Sequence, residues 1–179
     1  MPVNLQSNDF ELFGLEQRFE QDREAIDARW KAMQREAHPD RFATHGGAAQ
    51  RIAMQWSVRI NEAYRRLRDP LQRAARLCEL RGAPIEAENN TAMPAQFLIE
   101  QMTWREALDD ASTRAELDVL MAQLTDARQQ ALNQIFDLLD KQDDAQAAAQ
   151  QVRALMFIER FGRDVEARLD QLEPVQGTP

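Results

Sequence analysis

The octapeptide HPDRFATH (38–45) holds both histidines of a 179-residue chain, with an aspartate between them. Two imidazoles and a carboxylate within eight residues could bind a metal or exchange protons. The rest of the sequence supplies neither chemistry. Cys78 is the single cysteine, no second group of His, Cys or carboxylates completes a ligand set, and no glycine-rich phosphate loop is present. No nucleophile stands beside a base. An enzyme, a resident metal and a cofactor are therefore not expected, and His45 reads as a solvated loop residue. What remains is binding chemistry. Asp40 offers a carboxylate to an arginine of a partner, and it follows a proline that stiffens the turn.

Those residues need a helix to carry them. Asp22 can cap one that runs to about Ala37, with Ile26, Trp30, Met33 and Ala37 on a buried stripe. The residue before a proline is pushed out of the α region, so His38 ends that helix. At about 100° per residue, Lys31, Arg35 and His38 line up on a face turned away from the stripe. A basic strip thus leads to a rigid turn bearing Asp40, which suits electrostatic docking on an acidic protein surface. The plainer reading is that cations near a helix C-terminus favour the macrodipole, and that Asp is a common turn residue.

The remaining chain also reads as helix. Glycine and proline are scarce, at 6 and 7, while Ala, Leu, Gln, Glu and Arg abound. DFELFG (9–14) makes a short apolar turn that stops at Gly14. A long helix over 48–68 carries Ala49, Ala53, Trp56, Ile60, Ala63, Tyr64 and Leu67 on one side. Another spans 70–81, with Pro70 in its first turn and Gly82 at its stop; Cys78 on it reads as a small core residue. GAPIEAENNTAMP (82–94) is linker-like. Beyond it lie helices at about 94–111, 113–141 and 144–172, with Thr113–Glu116 and Asp143–Gln146 as capping pairs. The tail PVQGTP is expected to fray. The fold class expected is all-α: a first unit over 1–82, a linker over 83–93 and a three-helix bundle over 94–179.

Composition narrows the setting. No apolar run approaches the ~20 residues of a membrane span, and the start lacks the features of a signal peptide. With one cysteine, a reducing cytoplasm is the simplest location. The net charge of −8 argues against nucleic acid. It is unevenly placed. Residues 1–82 carry 14 basic against 12 acidic groups, and residues 83–179 carry 8 against 18. Two electrostatically different halves suggest two different partners.

The second half has its own candidate surface. In PAQFLIEQMTWREALDDA (94–111), Phe97, Gln101, Trp104 and Leu108 mark the inward face. Leu98, Ile99 and Met102 point elsewhere, beside Glu106, Asp109 and Asp110. Three aliphatic groups rimmed by carboxylates read as a protein-binding patch, or as a second packing face within the protein. On the last helix, Ala148, Val152, Leu155, Ile158, Val165 and Leu169 form a stripe. Phe157 sits about a third of a turn from its centre, where an aromatic without a partner would cost solubility.

Two resemblances join these features. A helical hairpin with HPD at its tip, followed by INEAYRRLRDP (60–70), resembles the J domain of DnaJ-type co-chaperones. FELFGL (10–15), PLQRAARLCELRG and FLIEQMTWREALDD together resemble the HscB family, J-domain co-chaperones of iron–sulfur cluster assembly. The likeness runs from about residue 9 to 172. It implies an N-terminal J domain joined to a helical bundle and no catalysis of its own. It also implies binding and stimulation of an HscA/DnaK-type chaperone ATPase and delivery of an IscU-type scaffold protein to it. Carried over by position, Lys31, Arg35, His38, Pro39, Asp40 and Arg41 would meet the chaperone. Leu98, Ile99, Met102, Glu106, Asp110 and Phe157 would hold the scaffold. Arg41 stands where many J domains have lysine, and Thr103 where relatives often carry an acid. The paired N-terminal cysteines with which some relatives bind metal are missing, so no zinc is assigned.

Overall fold

The computed structural model describes residues 4–41, 46–87 and 91–172. The N-terminal three residues, the Phe42–His45 part of the expected loop, 88–90 of the expected linker and the expected frayed tail lie outside the described residues. Within them regular structure is helical throughout, as the composition predicts. The helices are α1 (Asp9–Phe13), α2 (Arg23–Ala37), α3 (Gly47–Arg68), α4 (Pro70–Leu80), α5 (Ala95–Asp110), α6 (Arg114–Phe136) and α7 (Ala145–Leu172). A π turn, Asp137–Lys141, extends α6. The chain divides into two compact units, Met1–Leu77 and Cys78–Pro179.

In the first unit, α2 and α3 form an antiparallel hairpin whose register is fixed by polar pairs flanking the core. Tyr64 donates its hydroxyl to Asp27, Trp30 its indole N–H to Asn61, and Ser57 its hydroxyl to Gln34. As the α2 partners rise from 27 to 34, those on α3 fall from 64 to 57. Trp30 stacks on Tyr64 with ring centroids 4.6 Å apart. Ile26 and Met33 are buried against Ala53, Ile60 and Ala63, the stripes that periodicity picks out.

Helix α1 is held on α3 by a buried charge. Asn8 caps it in a capping box with Glu11, and Gly14 closes it at φ 64°, a left-handed conformation that favours glycine. Phe10, Leu12 and Phe13 are buried, and so, wholly, is Asp9 at the start of the helix. Arg66 grips its carboxylate with two hydrogen bonds of 2.6 and 3.0 Å, and Arg59 Nη1 lies 2.8 Å away. Burial pushes the Asp9 carboxyl up, but the two guanidiniums outweigh it and hold the group below its ordinary value.

The second unit is a three-helix bundle. Leu117, Leu120, Leu124, Ala131 and Ile135 of α6 and Val152, Leu155, Ile158 and Val165 of α7 are buried. Thr113 caps α6 in the expected box with Glu116. The amides of Ser112 and Thr113 lie 2.9 Å from Glu116 and hold its carboxyl below the usual value. The expected cap of α7 is corrected by one residue. Asp144, not Asp143, accepts the Ala147 amide, while Asp143 takes a positive φ of 54° and receives Arg81 at 3.1 Å. Two adjacent aspartates can each cap, and only the second leaves the first free to make the turn.

The connecting segment is less linker-like than its composition. Ala83 and Ile85 are buried. Arg153 of α7, itself buried, donates to the carbonyls of Ile85 and Ala92 at 3.0 and 2.6 Å. Arg81 is tied to the Leu139 carbonyl at 2.6 Å. The division between units falls inside α4, ahead of a boundary at residue 82, because the chain from Cys78 onward is anchored in the bundle. Cys78 is buried, and burial pushes its thiol up to about 11.

The Asp9 site gives a signed pH dependence. Because its folded-state pKa is depressed, its contribution to stability is complete above about pH 4 and is lost as pH falls through the folded value. Asp9→Asn is expected to remove about 3–5 kcal/mol by leaving the guanidiniums without their buried counter-charge. Urea unfolding of parent and variant between pH 3 and 7 tests this. The deficit should shrink on acidification, and a deficit that does not change with pH would remove the ion pair as its source.

Candidate functional site

Each unit presents one surface built from residues that the sequence singles out. On the first, α2 stops at His38, whose ψ of 125° is what a following proline imposes. Residues 39–41 turn back in a single 3₁₀ turn, closed by the Arg41 amide donating to the His38 carbonyl at 3.0 Å. The Asp40 amide donates to His38 Nδ1 at 3.3 Å, and Asp40 Oδ2 lies 3.5 Å from the same nitrogen. Both contacts hold the imidazole against the turn, next to the Asp40 carboxylate.

The basic strip is drawn onto the end of α2. Arg35 donates to the Lys31 carbonyl at 3.3 Å, and Arg41 reaches back to the Arg35 carbonyl at 3.1 Å. The Arg35 carbonyl is among the last four of α2 and carries partial negative charge, and neither contact neutralises a guanidinium. Lys31, Arg35, His38, Asp40 and Arg41 are exposed and Pro39 is half-buried. Among the described residues, no carboxylate pairs with Lys31, Arg35 or Arg41. The expected corner is thus assembled: a cationic strip, a rigid turn and one outward carboxylate. It contains no reacting group and no metal-binding cluster among the described residues.

On the second unit, α5 turns two apolar faces in different directions. Phe97 and Trp104 are buried, and Gln101 and Leu108 half-buried, as the inward face requires. Leu98, Ile99 and Met102 remain 48%, 61% and 65% exposed, with Glu106, Asp109 and Asp110 exposed beside them. Of the two readings open from sequence, burial within the protein's own unit is ruled out for these three aliphatics. Isolated exposed apolar residues are ordinary; three within five positions of one helix form a contiguous exposed apolar ridge.

Phe157 requires a correction. It is 5% exposed and therefore lies beneath the surface, not on an open patch with Leu98 and Met102. Its ring meets Phe97 edge-on at 5.8 Å and stacks on Phe161 at 5.6 Å, and Phe161 stacks on Trp104 at 6.5 Å. Four aromatic rings join α5 to α7, widening the buried face of α7 beyond its aliphatic stripe. Sequence periodicity within α7 could not show this, because the partners are on another helix.

Three exposed residues around that cluster escape the sequence reading. Arg105 and Arg160 lie over the Phe157 ring, with Cζ 5.5 and 5.9 Å from its centroid. Met156, 37% exposed, precedes Phe157 on α7. The available signal was register: Leu98, Met102 and Arg105 follow i, i+4, i+7 spacing, and Met156 and Arg160 follow i, i+4.

Known proteins share these features over nearly the whole chain. Residues 93–166 match the family model described as the HSCB C-terminal oligomerisation domain. The Co-chaperone protein HscB homolog of Burkholderia multivorans is 51% identical over 174 residues, covering 96% of this chain and 99% of that one. Chaperone HscB from Vibrio cholerae is similar in structure with a TM-score of 0.79 at 36% identity, over 93% of this chain and 100% of that one. Human co-chaperone protein HscB has the same fold, with a TM-score of 0.87 at 23% identity, over 95% and 86% of the two chains. The chain belongs to the HscB family of co-chaperones.

Proposed function

We propose that this co-chaperone is an adaptor with one partner for each unit. Its N-terminal, J-domain unit binds a DnaK-type chaperone ATPase of the HscA class through Lys31, Arg35, His38, Pro39, Asp40 and Arg41, and stimulates ATP hydrolysis by that partner. Its C-terminal unit holds an IscU-type iron–sulfur scaffold protein through Leu98, Ile99, Met102, Glu106 and Asp110. Phe157 supports that surface from below. The adaptor catalyses nothing itself and works in the cytoplasm; among the described residues no helix is long and apolar enough to cross a membrane.

The observation that carries this reading is the ridge on α5. A helix that already buries Phe97 and Trp104 gains nothing for folding by exposing Leu98, Ile99 and Met102, so their use lies in binding. Cations without carboxylate partners at the α2 corner support the chaperone assignment in the same way. Two sites on one chain raise the local concentration of scaffold at the chaperone.

His38→Gln and Asp40→Asn are each expected to abolish stimulation of the chaperone ATPase with the melting temperature unchanged, because both side chains are exposed and fill no core position. Losing one partner of a desolvated charge contact costs about 2–5 kcal/mol, enough to remove a micromolar interaction. Steady-state ATP turnover beside a thermal melt decides it; full stimulation by either variant removes the assignment.

At the other end, truncating Leu98, Ile99 and Met102 to Ala should weaken scaffold binding by more than about a hundredfold while leaving thermal unfolding near that of the parent. Phe157→Ala should behave differently, destabilising the free protein by about 3–5 kcal/mol as a buried aromatic does. Calorimetric titration with the scaffold and unfolding of each free variant measure both. A triple variant that binds normally would exclude the ridge as the scaffold site.

A further inference from the structure

The second unit is rich in acid, with 18 acidic against 8 basic groups over residues 83–179. Its cations are mostly engaged with oxygen. Arg114, Arg128 and Lys141 have carboxylates at 3.8, 3.2 and 2.6 Å, and Arg153 is bound to two carbonyls. Arg105, Arg160 and Arg163 are exposed with no carboxylate partner among the described residues, and Arg168 meets only the Gln171 amide oxygen. Of these, Arg105 and Arg160 come from different helices and converge on one ring.

A guanidinium lying over an aromatic face is held by the ring quadrupole, yet its in-plane N–H groups remain able to grip a carboxylate side-on. Phe157 therefore serves as a pedestal for two cations. Arg105 continues the stripe begun by Leu98 and Met102, and Arg160 continues the one begun by Met156. An exposed aliphatic group thus precedes each cation by about one turn.

We propose that Arg105 and Arg160 form a carboxylate-receiving pair at the edge of the α5 ridge, so that the partner segment docking there carries an acidic side chain next to its apolar anchors. This rests on the reading of the ridge as the scaffold-binding surface and adds the chemistry by which the scaffold is selected. Charge complementarity carries it locally: two cations without carboxylate partners beside exposed Leu98 and Met102 match an acidic group on the partner at this edge, while Glu106, Asp109 and Asp110 offer the opposite sign elsewhere on the same ridge. Phe157 acts here as a positioning residue that touches the arginines, not the carboxylate.

The test is calorimetric titration of an IscU-type scaffold protein into the full chain at 50 and 300 mM salt. Arg105→Gln with Arg160→Gln should weaken binding by about tenfold or more at low salt, flatten the salt dependence, and leave the melt unchanged. Lysine at both positions should restore the salt dependence but only part of the affinity, since lysine lacks the stacked planar fork. A panel of Asp→Asn and Glu→Gln variants of the scaffold should contain one whose penalty vanishes in the double-glutamine background. If the parent binds the scaffold and the double-glutamine variant binds equally well with the same salt slope, the arginine pair has no such role. If the parent does not bind the scaffold, the reading of the ridge fails and this proposal with it. Concentration-dependent sedimentation of the free chain that disappears in the same variant would make a second copy the occupant, also overturning the proposal.

Discussion

A helix at the edge of a bundle can turn only one stripe inward, and the second unit is arranged around a helix whose sequence carries more than one. On α5, Phe97 and Trp104 take the inward places. Packing them against Phe157 and Phe161 fixes the helix about its own axis, and that rotation sets where every other α5 side chain points. Leu98, Ile99 and Met102 are left outside because the aromatic residues are inside. A surface made this way is rigid. Its geometry is determined by the core beneath it, so binding there would require no loop to be ordered first.

The first unit solves a different problem with the same economy of parts. The corner at residues 38–41 is short and exposed, and little burial holds it in place. Proline restricts the backbone of the preceding residue, a 3₁₀ turn closes on the His38 carbonyl, and Arg41 returns to the end of α2. The stiffness of the hairpin comes from elsewhere, from Trp30 stacked on Tyr64 and from the pairs that fix register. The YRRL stretch near the end of α3 is accordingly structural: Tyr64 ties the two helices, Arg66 grips Asp9, and Leu67 is buried.

Local rules made much of this readable. The helix stop at Pro39, the cap at Asp22, the box at Thr113 and the stop at Gly14 each depend on a few adjacent residues. The inward faces of α2, α3 and α5 also follow from spacing. What the sequence hid is what depends on another segment. Asp9 looks like an ordinary acid in a first helical turn until Arg59 and Arg66 arrive from α3. Phe157 looks displaced from its stripe until α5 supplies Phe97. Segment 83–93 looks like a solvated linker until Arg153 reaches its carbonyls. Charged side chains were the hardest to place, because a long flexible arginine reports its partner only in three dimensions.

The buried thiol has a consequence of another kind. With its acidity suppressed to about 11, Cys78 presents thiolate in roughly one molecule in ten thousand at neutral pH. It is also sealed from solvent. A protein proposed to handle a carrier of iron and sulfide would meet labile metal, persulfide and oxidant, all of which seek thiolate sulfur. Cys78 is a poor competitor for each of them. In that proposed role, a buried and protonated thiol would let the chain approach such cargo without capturing iron, exchanging sulfur or forming a mixed disulfide.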